Sequence, residues 1–102
     1  MNEGATITVG RWMSEEELSA MQATGQVQES TLNGVTNVIA PPNSAAYVPQ
    51  PGSVWVEFDV PADSVKFIDP STGWGKIFGP SSIFSEYFGI TEMPPATNIR
   101  VP

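Results

Sequence analysis

Arg11 is the residue in this sequence most oddly placed for a structural role. Ile7, Val9, Arg11 and Met13 recur with the two-residue period of a strand, which puts all four on one face. A guanidinium therefore shares the apolar side of its own strand. Gly10, just before it, permits a bulge that would re-aim the side chain. Two readings stay open. Arg11 either bends to solvent or pairs with one of the eleven carboxylates, or it captures an anion through its planar fork. Three further groups invite the same question. In Gly34-Val35-Thr36-Asn37-Val38, Thr36 either sits in a plain strand after a turn or offers a hydroxyl to a cleft beside Arg11. Trp55, Glu57 and Asp59 share one face of a strand, either as an exposed polar surface or as a cleft wall that holds Glu57 on a rigid element. The run from Gly73 through Trp74, Gly75 and Gly79 to Ser81 and Ser82 is either a turn leading to a capped helix or a loop whose glycines let backbone approach a ligand. Glu15, Glu16 and Glu17 read as helix-end charges and not as a metal site.

Composition removes several classes of chemistry. The 102 residues include no cysteine and no histidine. Disulfides, thiol catalysis, Ser-His-Asp triads and histidine or thiolate metal sites are excluded. Catalysis would fall to carboxylates, arginine, lysine, hydroxyls and a bound cofactor. The net charge of −7 disfavours nucleic acid and anionic membranes as partners and favours a basic protein patch. No apolar run approaches the roughly 18 residues of a membrane helix. The opening residues lack the basic and apolar regions of a signal peptide. There is no P-loop, no dinucleotide glycine fingerprint and no zinc spacing.

The elements that must position these residues are short, as ten prolines and nine glycines suggest. A first strand is expected over 5–13. A helix follows over 14–24, with Ser14 and Glu17 as a capping box, Met13 and Leu18 as a hydrophobic staple, and Gly25 as its closing residue. Residues 26–33 read as a loop with room for a short edge strand at 26–28. Strands are expected at 35–40, 53–60, 66–68, 76–78 and 99–101. Single turns are expected near 43–47 and 62–65. A loop at 69–75 carries Trp74, and a second helix at 83–88 takes Ser81 or Ser82 as its cap. One firm helix, short strands and no regular βαβ alternation give one α+β domain over 1–102.

Several blocks together resemble a known family. They are Gly10-Arg11-Trp12-Met13-Ser14 with Glu17 and Met21, then Thr24-Gly25 with Val27-Gln28, and Gly34-Val35-Thr36-Asn37-Val38 followed by Pro41. Gly52-Ser53-Val54-Trp55-Val56-Glu57-Phe58-Asp59-Val60-Pro61, Gly73-Trp74, Gly79-Pro80 with Ser82, and Pro94-Pro95-Ala96-Thr97-Asn98-Ile99 complete the set. In this order they resemble the TreTu toxin domain, the C-terminal warhead of Rhs-type polymorphic toxins delivered between competing bacteria, with type VI secretion as the implied route. The resemblance implies a monomeric ADP-ribosyltransferase that uses NAD, modifies elongation factor Tu and arrests translation in the cytoplasm of the target bacterium. It implies a cognate immunity protein. It also implies a split β-sandwich with NAD between two sheets. The family pattern of an arginine on the first strand, a serine or threonine on the second and a later glutamate maps to Arg11, Thr36 and Glu57. Glu57 comes earlier than usual, so Glu86 and Glu92 remain alternatives. Arg11, Thr36, Tyr47, Trp74 and Ser82 form the implied NAD-binding set, with Tyr47 or Trp74 against the nicotinamide. An NAD glycohydrolase toxin and a non-enzymatic protein-binding module are the competing readings.

Overall fold

The longest ladder joins the two strands whose alternation is clearest. In the computed structural model, which describes residues 5–30, 32–46 and 48–102, β1 (Thr6–Met13) runs antiparallel to β3 (Val54–Pro61) in unbroken register from Thr6 opposite Pro61 to Met13 opposite Val54. Val56, Phe58 and Val60 are fully buried on one face of β3, and Val9 and Met13 meet them from β1. Burying each such side chain contributes about 1.5–3 kcal/mol. The bulge that Gly10 would allow is not formed.

Helix α1 (Glu15–Thr24) packs on this inner face through Met21, which is fully buried, and Leu18. The Ser14 hydroxyl accepts the Glu17 amide at 3.1 Å, and Gly25 closes the helix with φ 70 while its N–H donates to the Met21 carbonyl. The capping box is made only from the serine side, because the Glu17 carboxylate turns to Arg11. After the helix, Val27 N–H donates to Pro94 O and Ala96 N–H to Gly25 O. These bonds lay the segment before the last strand along the helix exit and bring Met93 and Ala96 into the core.

The remaining strands complete a sheet in the order β4-β5-β2-β1-β3-β6. Here β2 is Val35–Ile39, β4 is Val65–Lys66, β5 is Trp74–Phe78 and β6 is Thr97–Arg100. A 3₁₀ turn at Ala62–Ser64 links β3 to β4. A short helix, α2 (Ser85–Phe88), follows β5. The domain is α+β, as composition and spacing suggest. Several elements differ from expectation: β4 ends at Lys66 and not at 68, and β6 begins at Thr97 and ends at Arg100 in place of 99–101. Trp74 opens β5 instead of lying in the preceding loop. Helix α2 starts later than 83, and Phe84 stands at its N-cap with no side-chain bond, because Ser81 is engaged elsewhere.

The six strands form one connected ladder, but the connection at its centre is narrow. β1 and β2 share a single rung, Gly10 opposite Ile39. On one side of it β4, β5 and β2 pair together, and on the other β1, β3 and β6 do. The two three-strand halves are thus hinged on one glycine.

Candidate functional site

Cross-strand pairing places one row of residues across five strands on the outer face, away from α1. It runs Trp74, Ile39, Gly10, Glu57, Arg100. Glu57 and Trp74 therefore share a face and flank the junction. Gly10 has a steric reason to be glycine: a Cβ there would overlap the Trp55 indole at Cζ2 and Cη2. Trp55 lies across β1 at this point, tilted against Trp12 with centroids 5.5 Å apart. Its indole N–H donates to Glu57 Oε2 at 2.9 Å, and Trp12 Nε1–H donates to the Ser44 carbonyl. Glu57 is also 4.0 Å from Arg100 Nη2, while Arg100 Nη1 is 3.7 Å from Asp59. The Thr8 hydroxyl donates to Asp59 at 2.7 Å and holds that carboxyl below the usual aspartate range; Asn98 and Arg100 add to this against partial desolvation. The outer face thus carries an indole pair, a carboxylate fixed on a strand, and one arginine.

On the inner face, Arg11 emerges where β1 and β2 part. Its Nε and Nη2 bind both oxygens of Glu17, at 2.7 and 3.1 Å, and its Nη1 donates to the Asn37 carbonyl at 2.9 Å. The guanidinium crosses from β1 to a β2 carbonyl just past the last shared rung. Arg11 and Glu17 side chains are each 19% exposed. Beside them lies a concavity of about 410 Å³ lined by Arg11, Ser14, Glu16, Glu17, Gln28 and Glu29 among others. One cation among three carboxylates makes this a poor receiver of pyrophosphate.

Over residues 6–100 the chain matches the family model of the TreTu toxin, C-terminal domain. It belongs to that family. No curated protein matches the chain. Among the described residues of this TreTu toxin domain, no helix is long and apolar enough to cross a membrane, and no group of three metal-binding side chains occurs.

The residues singled out from the sequence fall in different places in the TreTu domain. Arg11 and Thr36 lie on the inner face, and Glu57 and Trp74 on the outer. Thr36 does not face a cleft: it is fully buried, and its hydroxyl donates to the Gln28 carbonyl at 2.7 Å. Trp74 is 47% exposed. Ser82 is buried, with an Oγ that has no hydrogen-bond partner. Tyr47 lies outside the described residues. Glu86 is exposed on α2, and Glu92 is exposed and accepts Gln26 Nε2 at 3.3 Å. The Gly79–Ser82 loop closes on a residue of its own chain: Ser81 N–H and Oγ donate to Glu29, whose carboxylate sits where a Cβ on Gly79 would be.

Three residues in these contacts escaped the sequence reading. On local spacing Glu17 reads as a helix-end charge, Glu29 as part of a polar loop, and Arg100 as part of a terminal strand. The spacing from Arg11 to Glu17, across one strand end and one helical turn, was a usable signal. The contacts of Glu29 and Arg100 span dozens of residues and leave no local mark.

Proposed function

We propose that this domain is an antibacterial toxin that transfers ADP-ribose from NAD to elongation factor Tu and so blocks translation. Membership of the TreTu toxin family supports the reading at the level of a toxin. The observation that supports the finer reading is the one-rung junction between two sets of three strands, with Glu57 one strand away on the outer face. That face suits NAD better than the inner concavity does. Trp12, Trp55 and Trp74 offer flat apolar surfaces to the nicotinamide or adenine ring. Arg100, between Glu57 and Asp59, is the cation beside Glu57 and would have to turn from Asp59 to meet the pyrophosphate.

In this reading Glu57 is the carboxylate that polarises the ribose 2′-hydroxyl and stabilises positive charge developing at C1′. The bond from C1′ to the nicotinamide nitrogen breaks, and nicotinamide leaves with the bonding pair. A nucleophile of the target bonds to C1′ and gives up its proton. Trp55 holds Glu57 by its indole N–H. Arg11 acts as a positioning residue that braces the parted strands, since Glu17 and the Asn37 carbonyl already engage its fork.

The test is incubation of the purified domain with labelled NAD and purified elongation factor Tu. The expected result is label on the factor, reduced a hundredfold or more, on the order of a lost general-acid or base contribution, by Glu57→Gln. Release of free ADP-ribose with no labelled protein would replace transfer by hydrolysis. Full activity in Glu57→Gln with loss in Glu86→Gln or Glu92→Gln would move the catalytic carboxylate.

A further inference from the structure

The β4–β5 side of the outer face carries a second feature, which the proposed transferase chemistry does not use. Phe78 packs against Phe67, Phe84 and Phe88 at centroid distances of 5.8, 5.1 and 5.4 Å. Phe78 is buried, but its neighbours are not: Phe67 is 63% exposed, Ile83 90% and Tyr87 82%. Phe67, Phe78, Ile83 and Phe84 wall a cavity of about 390 Å³, closed by Val35, Asn33 and Lys76. A cluster of this kind on a small acidic domain is the pattern of an interaction site. Phe67 adds an independent sign. Its φ of 55 is one that bulky residues seldom adopt, and the strained backbone serves a side chain left mostly in solvent.

Charge says what kind of partner fits. Of the four cations, Arg11 and Arg100 stand beside carboxylates of their own chain. Lys66 and Lys76 form no ion pair with a described residue, and they face each other directly across β4 and β5, on the same side of the sheet as Phe78. Like charges opposite one another oppose folding. Lys66 also lies over the Phe88 ring, with Nζ 5.2 Å from its centroid. A lysine on an edge strand guards against strand addition, but Lys76 is on the inner strand β5, where that purpose does not apply. On a chain of net charge −7, these two side chains concentrate positive charge beside the aromatic cavity.

We infer that this face docks an acidic protein segment that inserts an aromatic or aliphatic side chain into the Phe67–Phe78–Phe84 cavity and sets carboxylates against Lys66 and Lys76. Such a partner is repelled by most of the domain's surface and attracted here, which fixes its orientation as well as its affinity. A second copy of the chain, itself at −7, is the less favoured occupant.

The experiment titrates the ¹⁵N-labelled domain with two peptides of equal length that share a central Phe-Leu pair, one flanked by aspartates and the other by lysines. The aspartate peptide should shift the amides of Val35, Lys76, Phe78 and Phe84 saturably, and the lysine peptide should not. Added salt should weaken binding, and the Lys66→Glu/Lys76→Glu double variant should bind at least tenfold more weakly. Lys76→Gln, a neutral change at an exposed position, gives the same readout if the double variant fails to fold. Absence of saturable shifts at these residues, equal binding of the lysine peptide, or unchanged affinity in Lys76→Gln would overturn the inference. So would a concentration-dependent dimer that buries this face in sedimentation.

Discussion

Replacing Gly10 by alanine tests the geometry of the junction with a single methyl group. The new Cβ would overlap the far edge of the Trp55 indole, a side-chain ring and not backbone. The β1–β3 ladder can therefore survive, but the indole cannot stay where it is. Overpacking of this sort costs about 1–3 kcal/mol. Displacing the ring also removes its hydrogen bond to the Glu57 carboxylate, a charge-assisted contact of about 1.5–3 kcal/mol where water is excluded and less at this partly exposed site. Relief of the clash and loss of the bond are alternatives, not a sum, so a net destabilisation of about 2 kcal/mol is expected. For a domain near this size that lowers the melting temperature by roughly 8–16 °C. The assay is thermal unfolding followed by tryptophan fluorescence, with Gly25→Ala as the control. Gly25 has a positive φ but nothing within 4 Å of a new Cβ, so alanine there should lower the melting point without altering native-state fluorescence. If Gly10→Ala melts with the wild type and keeps its fluorescence, Trp55 does not lie across β1, and the description of the outer face fails with it.

Other perturbations separate the roles of the remaining residues. Arg11→Met should destabilise by about 2 kcal/mol, since it leaves Glu17 half-buried without its partner, and Arg11→Met/Glu17→Met should recover most of that loss in urea unfolding. Additive losses would dissolve the pair. Thr36→Val should cost about 1–2 kcal/mol through the unpaired Gln28 carbonyl while leaving the proposed NAD turnover, per folded molecule, unchanged; a selective loss of that turnover would return Thr36 to the proposed site. Asp59 has a depressed folded pKa, so its contribution to stability is present above the unfolded value and is lost as pH falls through the folded one. Thr8→Val removes the main cause, so the Asp59 carboxyl titration followed by NMR should move up in pH and acid unfolding should begin earlier. An unmoved inflection would show that Thr8 is not the donor that matters.

How far such features could be read beforehand depended on the distance over which they are determined. β1, β3 and α1 are legible because alternation and capping are local: Val54, Val56, Phe58 and Val60 mark a face, and Ser14 and Gly25 mark the helix ends. Arg11 on the apolar face was legible for the same reason. Its partner was not, because Glu17 fits a capping role equally well on spacing alone. The outer row was hidden for a different reason. Trp74, Ile39, Gly10 and Glu57 come from four separate strands, and a shift of one residue in any pairing would turn a side chain to the opposite face. Thr36 shows the cost of this. A register that sets it opposite Ile77 carries it to the inner face, where a hydroxyl must find a carbonyl and does.

The narrow junction also explains how Arg11 comes to join two neighbouring strands. A ladder of many rungs between β1 and β2 would have locked the halves and left the Asn37 carbonyl paired in the sheet. With a single rung, that carbonyl takes Arg11 Nη1–H instead, and the guanidinium is held in place by Glu17 from the helix. Past that rung, β1 and β2 are tied by a side-chain bracket and not by backbone pairing. A bracket of two half-buried charges weakens with ionic strength and with loss of either partner, whereas a ladder would not. Gly10 itself is covered by the Trp55 indole, and Ile39 beside it is buried, so the exposed parts of the row are Glu57 on one half and Trp74 on the other.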